Sequence, residues 1–141
     1  MFGLEIVVIK RLISKKMDNP IILTVGVYDL IKNHIIRQEV SKEVEGILLK
    51  ELKKAQQVVR RELPEDVVNI RSSVRVKFHD DGSEEVYNFS IPKKAKKKKK
   101  TTSILSPIGL AVAGRRVGDK IRWPFDDGEK TIEILRVERS S

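Results

Sequence analysis

Ser103-Ile-Leu-Ser-Pro-Ile-Gly109, continuing through Leu110-Ala-Val-Ala-Gly114 to Val117-Gly-Asp-Lys120, decides the reading of this chain. Ser103 to Leu105 is a short apolar strand that runs into Ser106-Pro107. Serine is a favoured N-cap because its hydroxyl accepts from an unpaired N–H of the first turn. Proline at the first helical position gives up no bond the helix would make. Pro107 to Ala113 is therefore expected as a two-turn helix, small and apolar enough to lie flat on a sheet. Gly114 stands where a left-handed C-cap is usually found. Gly118-Asp119 then turns the chain into a strand with Ile121, Trp123 and Phe125 on one face. Asp126-Asp127-Gly128 reverses it into a last strand, Thr131 to Val137.

Upstream of this stretch the pattern alternates. Val74, Val76 and Phe78 are interleaved with Arg75 and Lys77, and Asp80-Asp81-Gly82-Ser83 makes a hairpin turn. Tyr87, Phe89 and Ile91 alternate on the return strand until Pro92 ends it. Both strands keep one face on a core and one in water. About five strands and one short helix predict a small antiparallel sheet wrapped on a helix, an α+β layer arrangement.

Further towards the N-terminus the period becomes helical. Thr24 is an N-cap candidate, and Tyr28, Ile31 and Ile35, with Leu30 alongside, share one face of a helix reaching Arg37. Gln38-Glu39-Val40-Ser41 is a turn, with Ser41 placed to cap a second helix whose first turn carries Glu43 and Glu45, as the helix dipole favours. That helix is expected to run to about Arg61, before Leu63-Pro64 stops it. Val44, Leu48, Leu52, Ala55 and Val59 step along it with the spacing of a short coiled-coil seam. Residues 20–63 are thus expected as an antiparallel two-helix hairpin, and residues 64–141 as the sheet domain.

Composition narrows the function. Without cysteine there is neither a disulfide framework nor a thiolate metal site. His34 and His79 lack ligand spacing and are expected as exposed polar residues, so no metal or other cofactor is expected. No apolar run approaches the ~20 residues of a membrane helix, and Met1 to Lys16 lacks the charge order of a signal peptide. The net charge is +9, but Lys93, Lys94, Lys96, Lys97, Lys98, Lys99 and Lys100 supply seven of the 29 basic residues. Without them the balance falls to +2, so a local basic tract is present and a domain-wide nucleic-acid surface is not. The tract reads as a solvated loop over residues 93–102, or as a non-specific electrostatic contact to nucleic acid. No aromatic residue interrupts it, so base stacking is not suggested. No phosphate-binding glycine loop, nucleophile motif or dinucleotide fingerprint is present.

The run Ser103-Ile104-Leu105-Ser106-Pro107-Ile108-Gly109, with Gly114, Val117-Gly118-Asp119, Trp123-Pro124 and Gly128, resembles the C-terminal domain of bacterial Gre-type transcript elongation factors. The shorter members called regulator of nucleoside diphosphate kinase are the more similar. Leu52-Lys-Lys-Ala55-Gln56, Leu63-Pro64-Glu65-Asp66-Val67-Val68, Ser73-Val74 and Val76-Lys77-Phe78 fall in the same family order. The resemblance covers roughly residues 24–138 and begins only after Met17. Residues 1–19 are accordingly an N-terminal extension, of which residues 1–16 are expected either to precede a natural start at Met17 or to pack as an extra strand.

The resemblance implies an FKBP-like sheet domain and a partner, RNA polymerase. In the long members a coiled coil enters the polymerase secondary channel, and acidic residues at its tip hold a metal ion and promote cleavage of backtracked RNA. Here the hairpin is short, and Glu39, Glu43 and Glu45 near its tip lack the family's acidic arrangement, with Lys42 among them. The docking end survives: the family's polymerase-contacting turn maps onto Leu105, Ser106, Pro107 and Ile108, with Leu105 where larger members carry an acid. The expectation is a non-enzymatic, cytoplasmic, monomeric regulator that binds polymerase through this turn. Two alternatives stay open, a cleavage-stimulating Gre factor and a basic nucleic-acid-binding module acting through Lys93 to Lys100. Prolyl isomerase activity is not expected, because strand alternation assigns the sheet aromatics to the core.

Overall fold

Thr24 begins the helical hairpin as the alternating and helical periods require. In the computed structural model, which describes residues 20–92 and 100–139, strand β1 (Ile22–Thr24) runs directly into helix α1 (Val25–Ile36). The Thr24 hydroxyl accepts from the Val27 N–H, and Arg37 closes the helix. Ser41 caps α2 (Lys42–Lys54), its Oγ accepting from the Val44 N–H at 3.2 Å. The extension 1–19 lies outside the described residues.

The second helix ends at Lys54, well short of the expected Arg61. Ala55 turns extended, and β2 (Gln56–Val58) pairs in parallel with β1, Ile22 opposite Gln56 and Thr24 opposite Val58. The Ile21 carbonyl accepts the Gln56 N–H, giving the chain backbone partners that a continued helix would forgo. The β-branched Val58 and Val59 lose less in extended backbone than in a helix. Val59, expected in the helical seam, is therefore off the helix and exposed.

The main sheet has five strands: β3 (Ser72–Phe78), β4 (Glu84–Ser90), β5 (Thr102–Ser103), β6 (Lys120–Phe125) and β7 (Gly128–Arg139). Their order is β5-β4-β3-β7-β6. Neighbours are antiparallel except β5, which runs parallel to β4 with Phe89 opposite Thr102. Parallel neighbours need a long connection, and residues 91–101, which contain the lysine run, supply it. The expected strand Ser103–Leu105 is thereby shifted to Thr102–Ser103, and Ile104 and Leu105 belong to the turn before α3 (Pro107–Val112).

The sheet buries one face. Val74 and Val76 of β3, Ile132 and Ile134 of β7, and Ile121 and Trp123 of β6 point inward, against a helix α3 whose Ile108 to Val112 are all buried. The same continuous core takes in Val27, Ile31 and Ile35 from α1 and Leu48 and Leu52 from α2. Ile31, Leu48 and Leu52 face Leu110, Ala111 and Trp123 across a crevice of only about 10 Å³, at the limit for a single water. The helical seam thus lies on the body of the molecule. Two polar ties reinforce it: the buried Thr24 hydroxyl bonds Asn69 Oδ1 at 3.4 Å, and Glu51 on α2 meets Arg115 at 3.3 Å. Among the described residues the result is a mixed α+β architecture with three α-helices and a curled sheet.

Candidate functional site

The turn before α3 is held by its own serines. Ser106 Oγ donates to the Ser103 carbonyl at 2.7 Å and accepts from the Gly109 N–H at 3.2 Å. Ser103 Oγ accepts from the Leu105 N–H at 3.0 Å. Gly109 lies close under the turn, where a Cβ would stand 2.3 Å from the Ile104 carbonyl oxygen. Main chain and side chain therefore fix the four expected docking residues together, but not on one surface. Pro107 is exposed, Leu105 and Ser106 are half-buried, and Ile108 is 8% exposed with its side chain in the core. Ile108 anchors the turn from below and offers a partner little surface.

Beside this turn is a cleft of about 180 Å³, between the α1–α2 connection and the C-terminal end of β6. Its walls include Leu105 and Pro107 from the turn, Trp123 and Phe125 from β6, and His34 and Glu39 from the hairpin. Asp126 stands at its mouth. Nothing in the sequence joins residues 34–44 to residues 105–126. The signal that could have done so is Phe125, an aromatic at the strand end that the core only half covers.

His34 departs from the expected exposed position. Its side chain is 14% exposed and Nδ1 lies 2.9 Å from a Glu39 carboxylate oxygen, because the connection folds back on the end of α1. Gln38 takes φ 57° to make that reversal, and the Glu39 N–H bonds the His34 carbonyl. His79 is exposed, with Nε2 2.8 Å from Glu133. The hairpin glutamates do not converge: Glu39 meets His34, Glu45 reaches Lys42 at 3.7 Å, and Glu43 and Glu45 occupy the first turn of α2. Among the described residues no group of three His, Asp or Glu side chains is placed to hold a metal.

At the hairpin end of the sheet, Lys130 is the centre of an acidic surround. Its Nζ is 2.8 Å from Asp127 and 5.8 Å from the ring centres of Phe78 and Phe125. The hydrogen bond that Lys130 donates to Asp127 raises the Lys130 pKa, with Asp80 and Asp81 adding to it, and lowers that of Asp127 in turn. Tyr87 stacks on Phe89 at 5.9 Å, and burial pushes its phenol above the ordinary value. Phe89 and Trp123 are core residues, as strand alternation predicts, whereas Phe78, Tyr87 and Phe125 are only half-buried. Of the lysine run, Lys100 is described, exposed and at φ 51°; Lys93 to Lys99 lie outside the described residues.

No helix among the described residues is long and apolar enough to cross a membrane. Comparison with known proteins covers the region of the turn and its sheet. The regulator of nucleoside diphosphate kinase of Escherichia coli is 36% identical over 89 residues, 62% of this chain and 65% of that protein. The match thus spans just under two thirds of that relative's length. Transcription elongation factor GreA of Clostridium botulinum is 29% identical over 140 residues, 96% of this chain and 88% of that protein. The solved structure of a GreA/GreB transcription elongation factor from Nitrosomonas europaea superposes with a TM-score of 0.62 at 27% identity, covering 86% of this chain and 99% of that one. The family model for the C-terminal region of GreA/GreB transcription elongation factors matches residues 63–139, more than half of the chain, which therefore belongs to the GreA/GreB family.

Proposed function

We infer that this chain is a regulator of bacterial RNA polymerase that docks beside the secondary channel through the turn Leu105 to Ile108 and does not stimulate transcript cleavage. The observation that carries this reading is the hairpin. Helices α1 and α2 have 12 and 13 residues. At about 1.5 Å per residue each is roughly 18–20 Å long. Their apolar seam is spent on α3 and Trp123. A cleavage factor must carry paired carboxylates to a distant metal, and magnesium takes several hard oxygen ligands. Here Glu39 is engaged by His34 and lies on the body of the molecule. The sheet with α3 is read as FKBP-like, used for docking, and the cytoplasm is where such a factor acts.

The test is co-sedimentation with core RNA polymerase, comparing wild type with the Ser106→Ala/Pro107→Ala double variant. Wild type is expected to bind and the variant to bind about tenfold more weakly, one step of 1.4 kcal/mol. Stalled complexes given magnesium and the wild type are expected to keep their RNA length. Absence of wild-type binding overturns the docking reading, and shortened RNA overturns the non-cleaving one. Replacing Lys93 to Lys100 separates the nucleic-acid alternative: polymerase binding then survives, and salt-sensitive RNA binding is lost if the tract supplies it.

A further inference from the structure

The cleft between the docking turn and the hairpin connection has a chemistry of its own. At about 180 Å³ it is well below the roughly 300–1,000 Å³ of pockets that take cofactors or drug-sized ligands. It has room for one long side chain. Its inner wall is apolar, made by Leu105, Leu110, Trp123 and Phe125, and its rim carries Glu39 and Asp126. The chain has 29 lysines and arginines against 20 acids, yet among the described residues no lysine or arginine lines this cleft. Asp126 is exposed and makes no ion pair among the described residues. Glu39 uses Oε2 to meet His34 and keeps its other oxygen available.

We propose that this cleft seats an arginine side chain of a protein partner, with the stem against Leu105 and Phe125 and the guanidinium between Glu39 and Asp126. An apolar wall with a two-carboxylate rim asks for a cation on a long hydrocarbon stem. Arginine fits better than lysine, because its planar fork serves two carboxylates at once and lies flat on an aromatic ring. A single arginine filling a pocket is also a common form of interface hot spot. The seat joins the hairpin connection to the docking turn, so one partner touches both. That the partner is RNA polymerase rests on the reading above; the arginine seat stands on the cleft itself.

Trp123 is the single tryptophan of the chain and lines the cleft, so its fluorescence reports occupancy. The full-length chain is titrated with N-acetyl-arginine amide and, in parallel, with the neutral isostere N-acetyl-citrulline amide. A saturable response to the arginine compound that citrulline does not reproduce is the expected result. In the Glu39→Gln/Asp126→Asn variant, whose changes are at the exposed rim, the arginine response is expected to weaken about fivefold. No response, an equal response to citrulline, or an unaltered double variant overturns the arginine seat. Co-sedimentation with core polymerase is run on the same variant. Wild-type binding that the variant leaves unchanged overturns polymerase as the source of the arginine while the docking turn stands. Absence of wild-type binding together with an arginine response that citrulline does not reproduce overturns the polymerase reading and upholds the seat.

Discussion

Gly109 shows how much one missing atom governs the turn before α3. An added Cβ would meet the Ile104 carbonyl oxygen and carbon at 2.3 and 2.6 Å and the Ser103 oxygen at 2.7 Å, all backbone atoms that cannot step aside. Gly109→Ala is therefore expected to cost about 3 kcal/mol, the upper part of the range for overpacking, and to lower the urea midpoint accordingly. Ser106→Ala removes a cap and a bond to Ser103, and is expected to cost about 1 kcal/mol. The ratio of the two is the check: equal shifts would mean that the turn does not press on the helix. The capping role of Ser106-Pro107 is legible in sequence because it is local chemistry within one turn. The close approach at Gly109 is not, since it depends on where Ile104 is carried by the β4–β5 pairing. Asp81 gives a pH-dependent counterpart. Hydrogen bonds from the Ser83 hydroxyl and N–H hold its pKa below the ordinary 3.8. The folded state thus keeps the carboxylate ionised when the unfolded state has taken up its proton. The stability it contributes is present above that ordinary value and is lost as pH falls through the folded pKa. Asp81→Asn is expected to unfold at lower urea than wild type at pH 6, with the gap closing as the pH is lowered towards 3 and below. A gap that holds constant with pH would remove Asp81 from the account.

At the scale of the element, the helical hairpin was half legible. Thr24 and Ser41 announce both helix starts, and Leu48 and Leu52 announce the buried face. Its end was not, because the residues after Lys54 remain apolar at helical spacing while their backbone partners come from β1, a segment more than 30 residues earlier. Nor could periodicity say what the seam would face; it is α3 and β6 as well as the partner helix. The element that fixes this docking is Gly114. At φ 78°, it sits with its Cβ position 2.8 Å from Ile21 Cβ and 2.9 Å from Leu23 Cδ2, and its backbone bonds both Ile22 and Val68. Gly114→Ala meets both a left-handed penalty of about 1 kcal/mol and a contact with the rigid start of β1. The expected loss is about 2–3 kcal/mol in urea unfolding, with the change concentrated in faster amide exchange of β1 and α1. Uniform exchange across β1, α1 and the sheet would show that Gly114 does not set the hairpin's seat.

Across the whole molecule these contacts make the hairpin and the sheet one core, reaching from Ile35 on α1 through Leu48 and Trp123 to Ile134 on β7. A coiled coil that stood out from the sheet domain would bury its seam only against itself and could melt alone. Here Leu48 is 3% exposed and lines the same narrow crevice as Trp123, so removing it opens space beside a sheet residue. Leu48→Ala is expected to cost about 3 kcal/mol, within the range for large-to-small changes in cores. Loss of helical circular dichroism and the shift in Trp123 fluorescence should then fall at one lowered midpoint, as two-state unfolding requires. Ile132→Ala on β7, at 0% exposure, is the reciprocal case and should move both signals by a similar amount. If Leu48→Ala instead separated an early helical transition from a later fluorescence change, the hairpin would be an independent unit. The cleft proposed to seat an arginine, which needs both parts in fixed relation, would then lose its rigidity first.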